Sequence, residues 1–336
     1  MSSRTVFVTG AAGFLGSHLA EAFLKDGNRV ICCDNLLGGE QENVPEDAEF
    51  HEVDCSDLER LTRIMKGSDV VYHCAATPYE GFSVFSPYLV TQNIVSASVS
   101  TFTAAIRNGA KRIVFCSSMA RYGENKIPFT EDMPPRPQDP YGIGKLASEM
   151  LLQNLCSIHE VEWVISVPHN IYGPRQRYYD PFRNVVGIMI NMILQNRQPI
   201  IYGDGEQRRC FSYIGDDLPI LVRMAFDQGV AGQVINVGPD EEFVSINHLA
   251  RLIAEIMEFD LHPVYVPDRP QEVDLANCSA DKARKLLGYQ TRYSLRDGLM
   301  ETIKWTAQKG PRPFEYHLPL EIINDKCPKT WSERLF

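Results

Sequence analysis

Thr5-Val6-Phe7-Val8-Thr9-Gly10-Ala11-Ala12-Gly13-Phe14-Leu15-Gly16 decides the reading of this chain. Five β-prone residues run into a glycine, and a helical stretch reaching Lys25 begins at the third glycine. Strand, glycine turn and helix in that order form a cradle for phosphate. Gly10 permits the tight turn, Gly13 lets a pyrophosphate approach the amides at the helix N-terminus, and Gly16 lets helix and strand pack closely. The spacing is G-x-x-G-x-x-G rather than G-x-G-x-x-G, so the triplet takes its meaning from the residues downstream of it. Asp34 closes the next strand, Arg29 to Cys33. Its carboxylate suits two ribose hydroxyls and would repel a 2′-phosphate, which favours NAD over NADP. Asp54, at the end of a third strand over Phe50 to Val53, is expected to face the adenine.

The alternation continues. A helix is expected over Leu58 to Met65, a strand over Asp69 to Cys74, a long helix over Asn93 to Arg107 and a strand over Arg112 to Cys116. A second long helix covers Tyr141 to His159, and a strand covers Trp163 to Val167. Strands and helices in alternation predict a doubly wound parallel sheet of the Rossmann type, an α/β domain over residues 1–168. Beyond Pro168, turn signals such as Gly203-Asp204-Gly205 multiply, and helices mix with short strands. Residues 169–310 therefore read as a smaller mixed α/β substrate-binding domain, with some segments returning to the first sheet. Residues 311–336 are proline-rich yet keep Phe314, Tyr316, Leu318 and Trp331, so they are expected to pack as a tail on the body.

Composition excludes several classes. Of 336 residues, 44% are hydrophobic and 23% charged, as in an ordinary globular protein. The net charge of −10 and the lack of a basic run argue against nucleic-acid binding. Nine scattered cysteines show no metal-ligand spacing and read as reduced core residues, so no metal site is expected. No signal peptide and no apolar stretch of membrane-spanning length is evident, and a cytoplasmic location without membrane partners is expected.

Tyr141-Gly142-Ile143-Gly144-Lys145 carries the chemistry. The tyrosine and lysine fall on one helix face, one turn apart. An ammonium beside a phenol favours the phenolate, which makes a general base able to take a proton from a sugar or alcohol hydroxyl.

Together with His73-Cys74-Ala75-Ala76, Cys116-Ser117-Ser118 and His169-Asn170-Ile171-Tyr172-Gly173-Pro174, these motifs stand in the order of the extended short-chain dehydrogenase/reductase family. The resemblance runs from about Arg4 to Trp305, and the chain looks most like the NAD-dependent UDP-sugar 4-epimerases of that family. In such enzymes the tyrosine takes the proton of the sugar 4-OH while NAD accepts hydride from C4. A 4-keto sugar forms, rotates, and is reduced on its other face. The resemblance implies that Tyr141 is the base, that Lys145 lowers its pKa and holds the nicotinamide ribose, and that Ser118 hydrogen-bonds the reacting hydroxyl. It implies a cofactor site drawing also on Phe14, Leu15, Asn35, Cys55, Cys74, Ala75, Ala76, Asn93, Ser117 and Pro168. For the UDP-hexose it implies Asn170 and Asn184, with Arg209 and Arg269 on the diphosphate and Glu272 on the uridine ribose. It also implies a homodimer built from the two long helices.

Within the family, sugar dehydratases resemble Thr-Asp-Glu after the catalytic serine, and decarboxylases carry a nearby glutamate. Met119-Ala120-Arg121 stands here, so Tyr141 is left as the evident acid/base and epimerisation is favoured over dehydration or decarboxylation. A non-catalytic NAD sensor would tend to lose the tyrosine or the lysine, and both are present. Ala276 resembles a small gatekeeper that leaves room for a 2-acetamido group, and Arg177 resembles an arginine facing a C6 carboxylate. Cys210 and Val167-Pro168-His169 depart from the family pattern. Arg121 has no account from the sequence.

Overall fold

In a computed structural model, which describes residues 3–336, the apolar residues of the first strand alternate between two cores. Val6 and Val8 point to one face and Phe7 to the other, and the period of two repeats in Ile113, Val114 and Phe115. Both faces are therefore covered by helices, as a parallel sheet requires.

The nucleotide half runs β1 (Thr5–Thr9), α1 (Phe14–Lys25), β2 (Arg29–Asp34), β3 (Glu49–Glu52), α2 (Leu58–Ile64) and β4 (Val70–His73). The short helices α3 (Glu80–Ser83) and α4 (Pro87–Thr91) come next, then α5 (Ala97–Arg107), β5 (Arg112–Cys116), α6 (Pro140–His159) and β6 (Glu162–Pro168). The second half holds β7 (Ile171–Tyr172), α7 (Val185–Leu194), β8 (Ile200–Tyr202), β9 (Arg208–Cys210), β10 (Ser212–Tyr213), α8 (Ile214–Met224) and β11 (Gln233–Val237). It ends with β12 (Phe243–Ser245), α9 (Ile246–Ile256), β13 (Val264–Val266), β14 (Leu275–Ala276), α10 (Asp281–Leu287), α11 (Leu295–Lys309) and α12 (Lys329–Ser332).

The central sheet has seven parallel strands in the order β11-β6-β5-β4-β1-β2-β3. The order reverses between β1 and β4, so the crevice at their C-terminal ends is where a ligand belongs. α1 and α8 cover one face; α5 and α6 cover the other. β11 comes from the second half and pairs along its whole length with Val164 to Pro168 of β6.

The structure corrects two expectations. The helix expected from Asn93 starts earlier, at Ser86-Pro87, a helix-start pair that the sequence already contained. It runs from 87 to 107, with a π-helical turn over Gln92–Ser96 joining α4 to α5. Its 21 residues are also long and apolar enough to cross a membrane by composition, contrary to the expectation that no such stretch exists. Half of that window is buried inside the protein.

A third apolar cluster joins α7, α9 and α11, with Ile190, Leu249, Ile253 and Leu299 fully enclosed. Beyond α11 the tail crosses back over the nucleotide half. Leu318 and Trp331 pack with Tyr79, Phe82 and Phe182, and the Trp331 indole donates to Pro181 O at 3.1 Å. Glu321 caps α4 by accepting from Tyr88 N and Leu89 N, both at 2.9 Å.

Candidate active site

Gly10 sits at φ 70°, and a Cβ there would lie 2.8 Å from Ala75 N. A Cβ on Gly16 would lie 2.1 Å from Gly10 O, so β1 and α1 approach as closely as they do only because both positions are glycine. α1 begins at Gly13 without a side-chain cap, which leaves its first amides free for an anion. At the end of β2, Asp34 accepts from Ala12 N at 3.0 Å and Leu36 N at 2.7 Å. Burial pushes its carboxyl up, and these amides oppose that. Asn35 donates to Asp54 at 2.7 Å, beside Cys55. The free amides, the close glycine approach and the β2 acid fit the pyrophosphate and ribose of NAD.

These residues line one cavity of about 510 Å³, with the strand ends as its floor. Every site residue expected from the sequence lines it, from Gly10, Phe14 and Leu15 through Ala76 and Pro168 to Glu272. Asn93, in the π turn, donates to Thr77 Oγ1 at 2.8 Å.

Tyr141 stands in the first turn of α6, behind Pro140 and the cap Asp139, whose carboxylate accepts from Gly142 N at 2.9 Å. Lys145 is buried one turn on. Its ammonium donates to Cys116 O at 2.7 Å and lies 6.0 Å from the Tyr141 ring centroid. Burial pulls Lys145 down to about 8. Burial pushes the Tyr141 phenol well up and the charge of Glu80 adds to this, while the Ser118 hydrogen bond and the charge of Arg183 oppose. The Lys145 ammonium itself is directed to Cys116 O at the end of β5.

Behind Ser118 lies the account of Arg121. Its guanidinium pairs with Glu149 at 3.1 Å, and both groups are almost fully buried. The other oxygen of Glu149 accepts from Ser117 Oγ. This ion pair thus braces the Ser117-Ser118 turn from below.

At the far end of the cavity, Glu272 is held between two guanidiniums: Arg209 Nη2 at 3.1 Å and Arg269 Nη2 at 2.6 Å. Burial pushes the Glu272 carboxyl up, but the two cations win and hold it below its usual range. Arg269 also stacks on Tyr202 at 4.6 Å. Asn170 donates to Cys210 O at 2.9 Å. Asn184 caps α7 by accepting from Val186 N at 3.1 Å. Arg177 is engaged elsewhere, pairing with Glu315 of the tail at 2.6 Å and donating to Leu37 O at 3.3 Å.

Sequence reasoning missed three groups. Arg183 lines the cavity close enough to Tyr141 and Lys145 to act on both, and it has no acid partner among the described residues. Glu80 lines the cavity from α3, so Tyr141 is not its only acid/base group. His317, Leu318 and Phe336 of the tail form part of its wall.

A dinucleotide cradle opening onto a buried serine, tyrosine and lysine defines an NAD-binding enzyme that works on a hydroxyl group. Residues 6–238 match the model of the NAD dependent epimerase/dehydratase family, and the chain belongs to that family. It is 32% identical over 306 residues to a putative UDP-glucose 4-epimerase of Methanocaldococcus jannaschii, covering 89% of this chain and 97% of the relative. The crystal structure of UDP-glucose 4-epimerase from Thermotoga maritima with UDP-glucose matches with a TM-score of 0.85 at 32% identity, over 91% of this chain and 99% of that one. UDP-glucuronic acid 4-epimerase from Bacillus cereus, in complex with UDP-glucuronic acid and NAD, matches with a TM-score of 0.85 at 28% identity, with the same two coverages. The chain is an NAD-dependent isomerase of the nucleotide-sugar 4-epimerase type.

Proposed function

We propose that this chain inverts C4 of a UDP-hexose through a transient 4-keto sugar. The observation that carries the reading is one continuous cavity with the Ser118, Tyr141 and Lys145 set against the cofactor cradle and the Arg209 and Arg269 pair at the far end. NAD held by the Gly10–Gly16 turn and Asp34 would supply a reversible hydride acceptor for C4. Ser118 orients the 4-OH, and Tyr141 takes its proton and later gives it back. The buried Lys145 cation holds the cofactor side of the site. The two guanidiniums grip the diphosphate while the sugar ring turns, which requires Glu272 to release or share them.

Two features bear on the sugar. Ala276 lines the cavity with a small side chain and leaves space at C2. The unpaired Arg183, next to Tyr141, favours an anionic substituent close to C4, such as the carboxylate of a uronate. Incubating the protein with UDP-glucose, UDP-N-acetylglucosamine and UDP-glucuronate and following the products by NMR tests the proposal. A C4 epimer is expected with at least one of them. Products that have lost water or carbon dioxide, with no inversion at C4, would sink it.

We also propose that the protein is a homodimer joined through its long helices. Ile143 and Met150 on α6 are 53% and 63% exposed, and Tyr88 on α4 is 71% exposed. Light scattering is expected to give twice the 38.0 kDa chain mass; the single-chain mass would refute it.

A further inference from the structure

Glu80 opens α3 in the segment leaving β4. Its neighbours Tyr79 and Phe82 are buried in the aromatic cluster under the tail, while Glu80 itself is accessible and lines the cavity. Its carboxylate has no hydrogen-bond partner among the described residues; only its backbone oxygen is used, accepting from Ser83 Oγ at 2.6 Å. The side chain stands between the two ends of the site. On one side its charge acts on the Tyr141 phenol. On the other, a Cβ on the adjacent Gly81 would lie 4.0 Å from Arg269 Cδ, and Arg209 and Arg269 are the cations that act on Glu80. The side chain is exposed to the cavity, whose walls surround it. Burial first, then the charge of Asp139, push its carboxyl up to about 7 against the pull of Arg209.

A carboxylate that no protein group bonds is left to water, and a ligand that brings donors can take the place of that water. In a UDP-hexose with its 4-OH at Tyr141 and its diphosphate at Arg209 and Arg269, only the pyranose ring spans the interval. Glu80 then faces ring substituents. A carboxylate accepts two hydrogen bonds side by side, which matches a vicinal pair: the hydroxyls at C2 and C3, or an acetamido N–H at C2 with the hydroxyl at C3. We propose that Glu80 is a specificity-determining residue whose carboxylate accepts hydrogen bonds from the donors at C2 and C3 of the sugar. The inference rests on the C4 orientation proposed above and leaves the substituent at C6 to Arg183.

The test is equilibrium binding of UDP, UDP-glucose, and its 2-deoxy and 3-deoxy analogues to the NAD-loaded Tyr141→Phe protein, with Glu80 intact or replaced in Glu80→Leu. Glu80→Leu is expected to weaken UDP-glucose about 10- to 100-fold, the scale of two hydrogen bonds to a charged group, while UDP stays within about twofold. Each deoxy analogue should bind more weakly than UDP-glucose when Glu80 is present and nearly equally when it is absent. Because the carboxyl pKa is raised to about 7, the acceptor is charged above that pH and protonated below it. UDP-glucose binding should therefore weaken on acidification, an effect lost in Glu80→Leu. Equal weakening of UDP and UDP-glucose would overturn the proposal, as would deoxy penalties that are absent with Glu80 present or unchanged without it. Since binding needs no turnover, these outcomes stay readable even if no sugar inverts at C4, and only that second result would count against the proposed reaction.

Discussion

Tyr141→Phe is expected to lower kcat about 10²- to 10⁴-fold, the range supplied by a positioned general acid/base, while KM for the nucleotide sugar changes by no more than a few-fold. The phenol is buried at the cavity wall, and no backbone group depends on its oxygen, so the variant should fold normally. Its ring still packs with Val90, Ile94 and Phe182. The loss therefore falls on the step in which the 4-OH proton moves, and kcat and kcat/KM should drop together. Burial and Glu80 push the phenol up, while the Ser118 hydrogen bond and the charge of Arg183 pull it down. Lys145, pulled down to about 8, carries its charge below that pH and loses it above. Stopped assays across pH 6–9 check the pair. A Tyr141→Phe protein within tenfold of the parent kcat would show that another group moves the proton.

Arg121→Leu should be the most destabilising single change outside the apolar core. It removes one partner of a buried ion pair, which typically costs about 3–5 kcal/mol because the remaining charge is stranded. The stranded group is Glu149. Burial raises its carboxyl pKa even with Arg121 present, and Arg121 is the largest influence opposing that. A carboxyl raised in the folded state holds its proton more tightly there than in the unfolded chain, so its contribution is lost as pH rises through the folded pKa. Without Arg121 that pKa rises further. Urea melts should then show a deficit that is large at pH 8 and smaller at pH 5.5, where Glu149 can be neutral. Arg121→Leu/Glu149→Gln, which keeps an acceptor for Ser117, should recover much of the loss. A deficit independent of pH in the single variant would mean that packing, not charge, is what Arg121 provides.

What the sequence disclosed was local. The glycine turn, Asp34 and the Tyr141/Lys145 pair each rest on spacing within one strand–turn–helix unit, and spacing survives folding. The direction of an ammonium cannot be read from spacing: Lys145 lies one turn from Tyr141, as expected, but gives its hydrogen bond to β5. Glu80, Arg183 and the tail are brought to the cavity by tertiary packing across long stretches of chain, and no periodicity marks them. Arg121 looked anomalous because its partner, Glu149, lies in another element. The early start of the long helix was readable in Ser86-Pro87. Its π turn was not, because the extra residue per turn leaves no mark in composition.

The seventh strand has a consequence for how the chain reaches this state. β6 is paired on its outer side only by β11, so it stays an open edge until Gln233–Val237 has been synthesised. A nascent chain on the ribosome therefore carries a sticky border of unpaired amides and carbonyls while much of the substrate half is still being made. Cutting the gene at residue 168, where the composition changes, would make that transient state permanent. The divide between cofactor half and substrate half is one of chemistry; the central sheet itself is closed at that edge by a strand from the second half.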